Sequence, residues 1–315
     1  MKNRFRKRRY RVACIGELLW DELPAGSYLG GALANCATMI GALGDEAVLV
    51  SSVGRDVLGE KAREILAQRP IILDYLGTDA SHATGTVSVD IDRGGIATYA
   101  IHENVAWDYL AGSSHLDELA RRSDAVCFGT LAQRSEVSRT ALRSFVLQTR
   151  DRCARVFDVN LRSPYISREI LAWGMEHATI VKMNHEEVST IAGYLGAENG
   201  AQDTESVARN ILQRFPVDMV AITRGSHGSL IVTREECIEH PGIPVAVVDT
   251  IGAGDAFTAA LTHYYLRKTP LQVLSEAANR WGAWVATQSG GMPVIPPATF
   301  ARIEAEMIGS KEMCD

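Results

Sequence analysis

The sequence predicts an α/β protein built on a mainly parallel sheet, and three observations carry that reading. Short β-branched apolar runs alternate with longer segments of helical period, the pattern of βαβ units. With 315 residues, 46% hydrophobic and 22% charged, the chain can bury a core of one large domain. A single stretch breaks the alternation with a period of two, which marks a small β appendage.

In chain order the strands are 12–15, 48–50, 125–128, 156–159, 180–183, 219–223 and 245–248, each a short apolar run. Helical spacing fills the gaps at 58–68, 137–150, 186–194, 205–215 and 271–288. No apolar run approaches the roughly 20 residues of a membrane span. Of the 32 basic residues seven fall within positions 1–11, so the body of the chain is more acidic than the net charge of −6 suggests. A basic tail suits nucleic acid or an anionic surface, but we read it as a solvated, disordered terminus. It lacks the apolar segment of a secretory signal, and a cytoplasmic protein with no nucleic-acid or membrane partner is expected. Cys14, Cys36, Cys127, Cys153, Cys237 and Cys314 form no CxxC pair, which supports neither a disulfide framework nor a zinc site. Most of them sit in apolar stretches as small hydrophobes.

Four segments can carry chemistry. Asp21 closely follows the first strand, where a carboxylate accepts bonds from neighbouring hydroxyls or simply meets solvent. Gly30-Gly31 precedes a segment from Ala32 to Gly44 without any charge, so a helix there is buried on every face. Asn35 lies inside it, and an unsatisfied buried amide costs on the order of 1–3 kcal/mol. Its partner is backbone or a polar ligand, and the adjacent glycine pair favours the ligand. From Thr86 to Ile101, Val87, Val89 and Ile91 alternate, Asp92-Arg93-Gly94-Gly95 turns, and Ala97, Tyr99 and Ile101 resume. This hairpin is either a lid over the sheet or a surface decoration. Finally, VAVVDTIGAGDAFTAAL at 245–261 runs from a strand through Gly252-Ala253-Gly254 into a helix. Its bare amides suit an anion, and Asp255 in the first turn is a functional acid or an N-terminal cap. His102-Glu103 and His185-Glu186 lack the second histidine of HExxH, and neither a Walker A loop nor GxGxxG is present.

Together these segments resemble the ribokinase, or PfkB, family of carbohydrate kinases from about Val12 to Pro297. Asp249-Thr250-Ile251-Gly252-Ala253-Gly254-Asp255-Ala256-Phe257 is similar to its DTxGAGDxF signature, and Gly30 to Asn35 to the GGAxxN signature of the fructokinase-like branch. The resemblance implies a ribokinase-like, doubly wound sheet over 12–315 with a lid from about 16–31 and 82–110. It implies an ATP-dependent sugar kinase in which Asp255 is the base and Gly252, Ala253 and Gly254 form the anion hole, with Arg162 of the DxNxR element aiding them. Phosphoryl transfer has a loose transition state, in which positioning and charge neutralisation dominate, so a carboxylate suffices. Asp21, Gly30, Gly31 and Asn35 would hold the sugar, joined by His102, Asn104 and, in one reading, Trp107. Asn184, Thr223, Gly225, Gly228 and Asn279 match nucleotide positions. Glu187 would organise Mg²⁺ through water, and Asp249, Ile251 and the turn 289–291 match a monovalent-cation (K⁺) site. D-fructose is the first acceptor, with ribose, 2-keto-3-deoxygluconate or a nucleoside as rivals. A sugar-binding regulator without catalysis is the alternative from another class. Several relatives pair two subunits through the lid, so a homodimer is one assembly to test.

Overall fold

The computed structural model describes residues 8–23, 26–91, 97–196 and 203–309. Most of the basic tail, the hairpin tip 92–96 and Cys314 lie outside them. In chain order the strands are β1 (Arg11–Ile15), β2 (Leu19–Leu23), β3 (Gly26–Gly30), β4 (Glu46–Gly54), β5 (Ile71–Ile72), β6 (Leu76–Asp79), β7 (Gly85–Ile91) and β8 (Ala97–Ile101). They continue as β9 (Ala125–Gly129), β10 (Ala154–Asp158), β11 (Ile180–Asn184), β12 (Met219–Thr223), β13 (Ser229–Thr233) and β14 (Cys237–His240). The helices are α1 (Ala32–Ala42), α2 (Val57–Ala67), α3 (Ser114–Arg122), α4 (Glu136–Leu147), α5 (Arg168–His177), α6 (His185–Tyr194), α7 (Thr204–Arg214), α8 (Ala253–Leu266), α9 (Leu271–Ala286) and α10 (Pro297–Gly309).

The main sheet runs β14-β13-β12-β11-β10-β9-β1-β4-β5, with β6 also on β4, and is parallel from β12 to β5. Alternate residues of β1 face opposite layers. Val12 and Cys14 pack under α1, α8 and α9, while Ala13 and Ile15 pack with the side chains of α3 to α7. The chain leaves β1 for β4 on one side and later adds β9 to β12 on the other, so strand order reverses beside β1. In open α/β sheets that reversal opens a crevice at the strands' C-terminal ends.

A second sheet of four strands, ordered β3-β2-β7-β8, stands apart. The hairpin expected from period two is β7 against β8, with Val87 opposite Ile101 and Ile91 opposite Ala97. One expected strand is absent: residues 245–248 pair with no strand, and Val245, Val247 and Val248 are exposed. The β-branched run promised a strand, but β14 remains the edge of the sheet, and Val248 bonds instead to the Ala286 carbonyl at the end of α9. The antiparallel pair β13 and β14 was not expected at all. Among the described residues no helix is long and apolar enough to cross a membrane.

Candidate active site

The C-terminal strand ends, α1 and α8 meet around Asp255. Gly252 caps α8 with φ of 79°, and a Cβ there would stand 2.5 Å from the Gly291 Cα, so the turn requires glycine. The turn places Asp255 in the first turn of α8, where Asn35 Nδ2 donates to its Oδ2 at 2.7 Å. This bond joins two segments 220 residues apart in sequence. Burial pushes the Asp255 carboxyl up to about 6, helped by Asp158 and opposed by the Asn35 bond, Lys182 and Arg162. The acid is thus a better proton acceptor than an exposed aspartate and is still ionised at neutral pH.

Beneath it lies a buried ion pair. Lys182 Nζ stands 3.1 and 3.2 Å from the Asp158 oxygens, and the Thr258 hydroxyl donates to Asp158 Oδ2 at 2.8 Å. A Cβ on Gly254 would stand 3.2 Å from Lys182 Nζ, so this glycine lets the ammonium lie close against the turn. Burial works to depress Lys182, yet Asp158, Asp255 and Glu187 hold it above its ordinary value. It therefore carries a full positive charge beside the amides of the turn.

On the opposite wall, Gly31 starts α1 at φ of 107°, and a Cβ would stand 2.5 Å from the Glu17 carbonyl oxygen. A glycine offers no side-chain cap, and Glu17 supplies one from across the chain by accepting the Ala32 N–H at 3.1 Å. Burial pushes Glu17 up to about 7, with Asp255 adding to the shift and Arg162 opposing it. Among the described residues its Oε2 is buried without a hydrogen-bond partner, as is Asn35 Oδ1. Asp21 on β2 is also raised by burial, with Arg162 pulling it down and Asp249 pushing it up. Arg162 is exposed and acts on Glu17, Asp21 and Asp255 together.

Asn184 and Glu187 form a capping box at the start of α6, each side chain accepting the other's backbone N–H, at 3.0 and 2.8 Å. Glu187 Oε1 also accepts the Leu161 N–H at 2.6 Å, which ties α6 to the loop carrying Arg162. Asp249 receives the Ile251 N–H at 2.9 Å and the Gly290 N–H at 3.0 Å, so the two loops expected beside a monovalent cation do meet.

The remaining nucleotide candidates form a separate group. Thr223 ends β12, and Gly225 and Gly228 shape the turn into β13. A cavity of about 540 Å³ opens nearby, lined by His185, Thr204, Arg224, His227, Glu239 and Pro241. Asn279 on α9 spends its amide on Ser229 Oγ and the Ser275 carbonyl, both at 2.8 Å.

His102 and Asn104 are exposed beside the second sheet, with His102 Nε2 3.2 Å from Ser88 Oγ and Asn104 accepting the Tyr109 hydroxyl at 3.2 Å. Trp107 is different. It is fully buried under the Arg134 guanidinium, 4.0 Å from its ring centre, and belongs to the core rather than to a sugar surface.

Lys182 and Glu17 escaped the sequence reading. Lys182 did leave a signal, since a lone lysine in the apolar run Ile180-Val181-Lys182-Met183 must find a partner once that strand is buried. Glu17 left less, because an acid just after a strand looks like a solvated loop.

The model of the pfkB family carbohydrate kinases matches residues 24–298. The fructokinase of Klebsiella pneumoniae is 30% identical over 304 residues, covering 91% of this chain and 96% of the relative. An aminoimidazole riboside kinase of Salmonella typhimurium is 29% identical over 304 residues, covering 91% and 92%. Among solved structures, the Vibrio cholerae fructokinase in its fructose-, ADP- and calcium-bound form superposes with a TM-score of 0.75 at 25% identity, covering 93% of this chain and 98% of that one.

Proposed function

Since the chain belongs to the pfkB family of carbohydrate kinases, and is thereby a phosphotransferase, we propose that it moves the γ-phosphoryl group of ATP to a primary hydroxyl of D-fructose, giving fructose 6-phosphate. The observation that carries this reading is Asp255, bonded to Asn35 and set in the first turn of α8 above the Lys182 ammonium. Asp255 accepts the proton of the attacking hydroxyl. The N–H groups of Gly252, Ala253 and Gly254, with Lys182 below and Arg162 from the exposed side, neutralise charge on the phosphoryl oxygens.

Asp21, Gly30, Gly31 and Asn35 hold the sugar, and His102 and Asn104 approach it from the second sheet. That sheet acts as a lid within 16–31 and 82–110 on a core of 12–315, and small-angle scattering should show compaction with fructose and a non-hydrolysable nucleotide. Asn184, Thr223, Gly225 and Gly228 receive ATP. Asn279, its amide engaged, shapes that wall rather than donating to the base. Mg²⁺ fits beside Glu187 only through water, because each of its oxygens already accepts a backbone N–H. The ion would supply charge neutralisation on the phosphates. K⁺ would sit by Asp249 and the Ile251 carbonyl. A homodimer through the lid would show as twice the chain's mass in solution.

Fructose is favoured by the fructokinase relatives, and a riboside is the second reading, favoured by the aminoimidazole riboside kinase. ADP release from ATP and Mg²⁺ across fructose, ribose, 2-keto-3-deoxygluconate, nucleosides and aminoimidazole riboside separates them. Highest kcat/KM on fructose upholds the assignment, and another winner replaces it. Silence on every acceptor with intact sugar binding would make the chain a regulator.

A further inference from the structure

Three thiols converge below the site. Cys14 of β1, Cys36 of α1 and Cys127 of β9 place their sulfur atoms all within 4.8 Å of one another. Cys14 and Cys127 are register partners on adjacent parallel strands, Cys36 comes down from the helix above, and all three are buried. Thr262 Oγ1 of α8 lies 3.6 Å from Cys127 Sγ. Hydrogen bonds from Cys14 and Cys36 hold the Cys127 thiol well below its ordinary range. Burial holds Cys14 well above it, as the bond to Cys127 does for Cys36. A single buried cysteine is only a small hydrophobe. Three sulfurs from three elements facing one point are the donor set of a trigonal site for a soft ion.

The surroundings choose among soft ions. The cluster sits in the apolar core with Leu33, Ile40, Ala125 and Ala259, where uncompensated charge is costly. Three thiolates around Cu⁺ or Zn²⁺ leave net negative charge, whereas three around trivalent arsenic leave none. We propose that Cys14, Cys36 and Cys127 form a binding site for trivalent arsenic, through which arsenite inhibits the enzyme. Arsenous acid and three thiols condense to a neutral tris-thiolate and three waters. Three As–S bonds form, three As–O and three S–H bonds break, each proton leaves on a hydroxide, and no oxidation state changes.

Arsenous acid is small and neutral, and it enters when α1 opens locally from the sheet, so inhibition develops slowly. Drawing the sulfurs onto one atom displaces α1, where Cys36 adjoins Asn35, and α8, which carries both Thr262 and Asp255. The Asn35–Asp255 bond therefore loses its geometry. Binding stands independently of the acceptor, while inhibition rests on the reading of Asp255 as the base.

The test uses the full chain with Cys237→Ser and Cys314→Ser, incubated with sodium arsenite and followed by native mass spectrometry, thiol titration in denaturant and ADP release. The expected result is one arsenic per chain, three thiols lost, activity falling during incubation, and recovery of both with a small dithiol. Cys36→Ala should weaken the adduct by no less than the roughly 10–100-fold that loss of a supporting residue costs. Cys36→Ser, which keeps the volume, serves if the alanine variant does not fold. No adduct, an adduct undiminished by either variant, or retention of Cu⁺ or Zn²⁺ in preference to arsenic overturns the site. An adduct with undiminished activity overturns the coupling to Asp255. A chain inactive before arsenite is added fails the kinase reading and leaves the mass result to decide the site.

Discussion

Replacing Asp255 by asparagine should make the protein more stable above neutral pH, although the residue sits at the centre of the site. In the unfolded chain this carboxyl ionises near 3.8, and in the folded protein burial and Asp158 push it up to about 6. Between those values the unfolded state has released a proton that the folded state still holds, so raising the pH favours unfolding. A shift of about two units corresponds to ~3 kcal/mol. Part of Asp255 still meets solvent, so about 2–3 kcal/mol is the expected range. The penalty is absent below about pH 4 and complete above about pH 7. The asparagine side chain cannot ionise and escapes it. Glu17, pushed up to about 7, titrates in both proteins and falls slightly in the variant as a like charge is removed, which widens the gap. Urea unfolding of both proteins at about pH 4.5 and pH 8 reads the difference, and since part of the penalty is already present at about pH 4.5 the variant should gain about 1–2 kcal/mol relative to the parent between them. A gap that stays constant, or closes as pH rises, would refute the raised pKa and with it the buried setting of the base.

Two further outcomes follow from the same geometry. Asn35→Leu removes the bond that stabilises ionised Asp255, worth about 1.5–3 kcal/mol for a charged acceptor. The acid limb of kcat/KM against pH, expected near 6 in the parent, should rise by about one to two units, and an unmoved limb would show that the bond does not govern the base. Lys182→Met leaves Asp158 buried with, among the described residues, only the Thr258 hydroxyl bonded to its carboxylate, so denaturant unfolding should show a loss on the order of 3–5 kcal/mol. Lys182→Arg should recover part of that stability without restoring full activity, and full stability in the methionine variant would contradict a paired interior charge.

The sheet and the central turn were legible because their signals are local. Apolar runs of strand length and a glycine pair before Asp255 need no knowledge of distant segments. The period of two at Val87, Val89 and Ile91 gave the hairpin for the same reason. Residues 245–248 misled because β-branched composition reports a preference, whereas tertiary contacts decide the pairing, and here Val248 bonds to the end of α9 rather than to a strand. Lys182 and Glu17 were hidden because their roles arise from partners on other elements. Lys182 gains its meaning from Asp158 and Gly254, and Glu17 from the amide of Ala32. Trp107 read equally as a sugar contact or as core, and its burial under Arg134 decides for core. Cys14, Cys36 and Cys127 read as separate hydrophobes because their convergence depends on the β1–β9 register.

The most direct test of the central claim is acceptor-dependent ADP release by Asp255→Asn beside the parent, with nucleotide affinity measured by calorimetry on both. A positioned base contributes about 10²–10⁴-fold, so the variant should lose at least that much in kcat while binding ATP as before. A variant that retains the parent's kcat would contradict Asp255 as the base and the active site built around it.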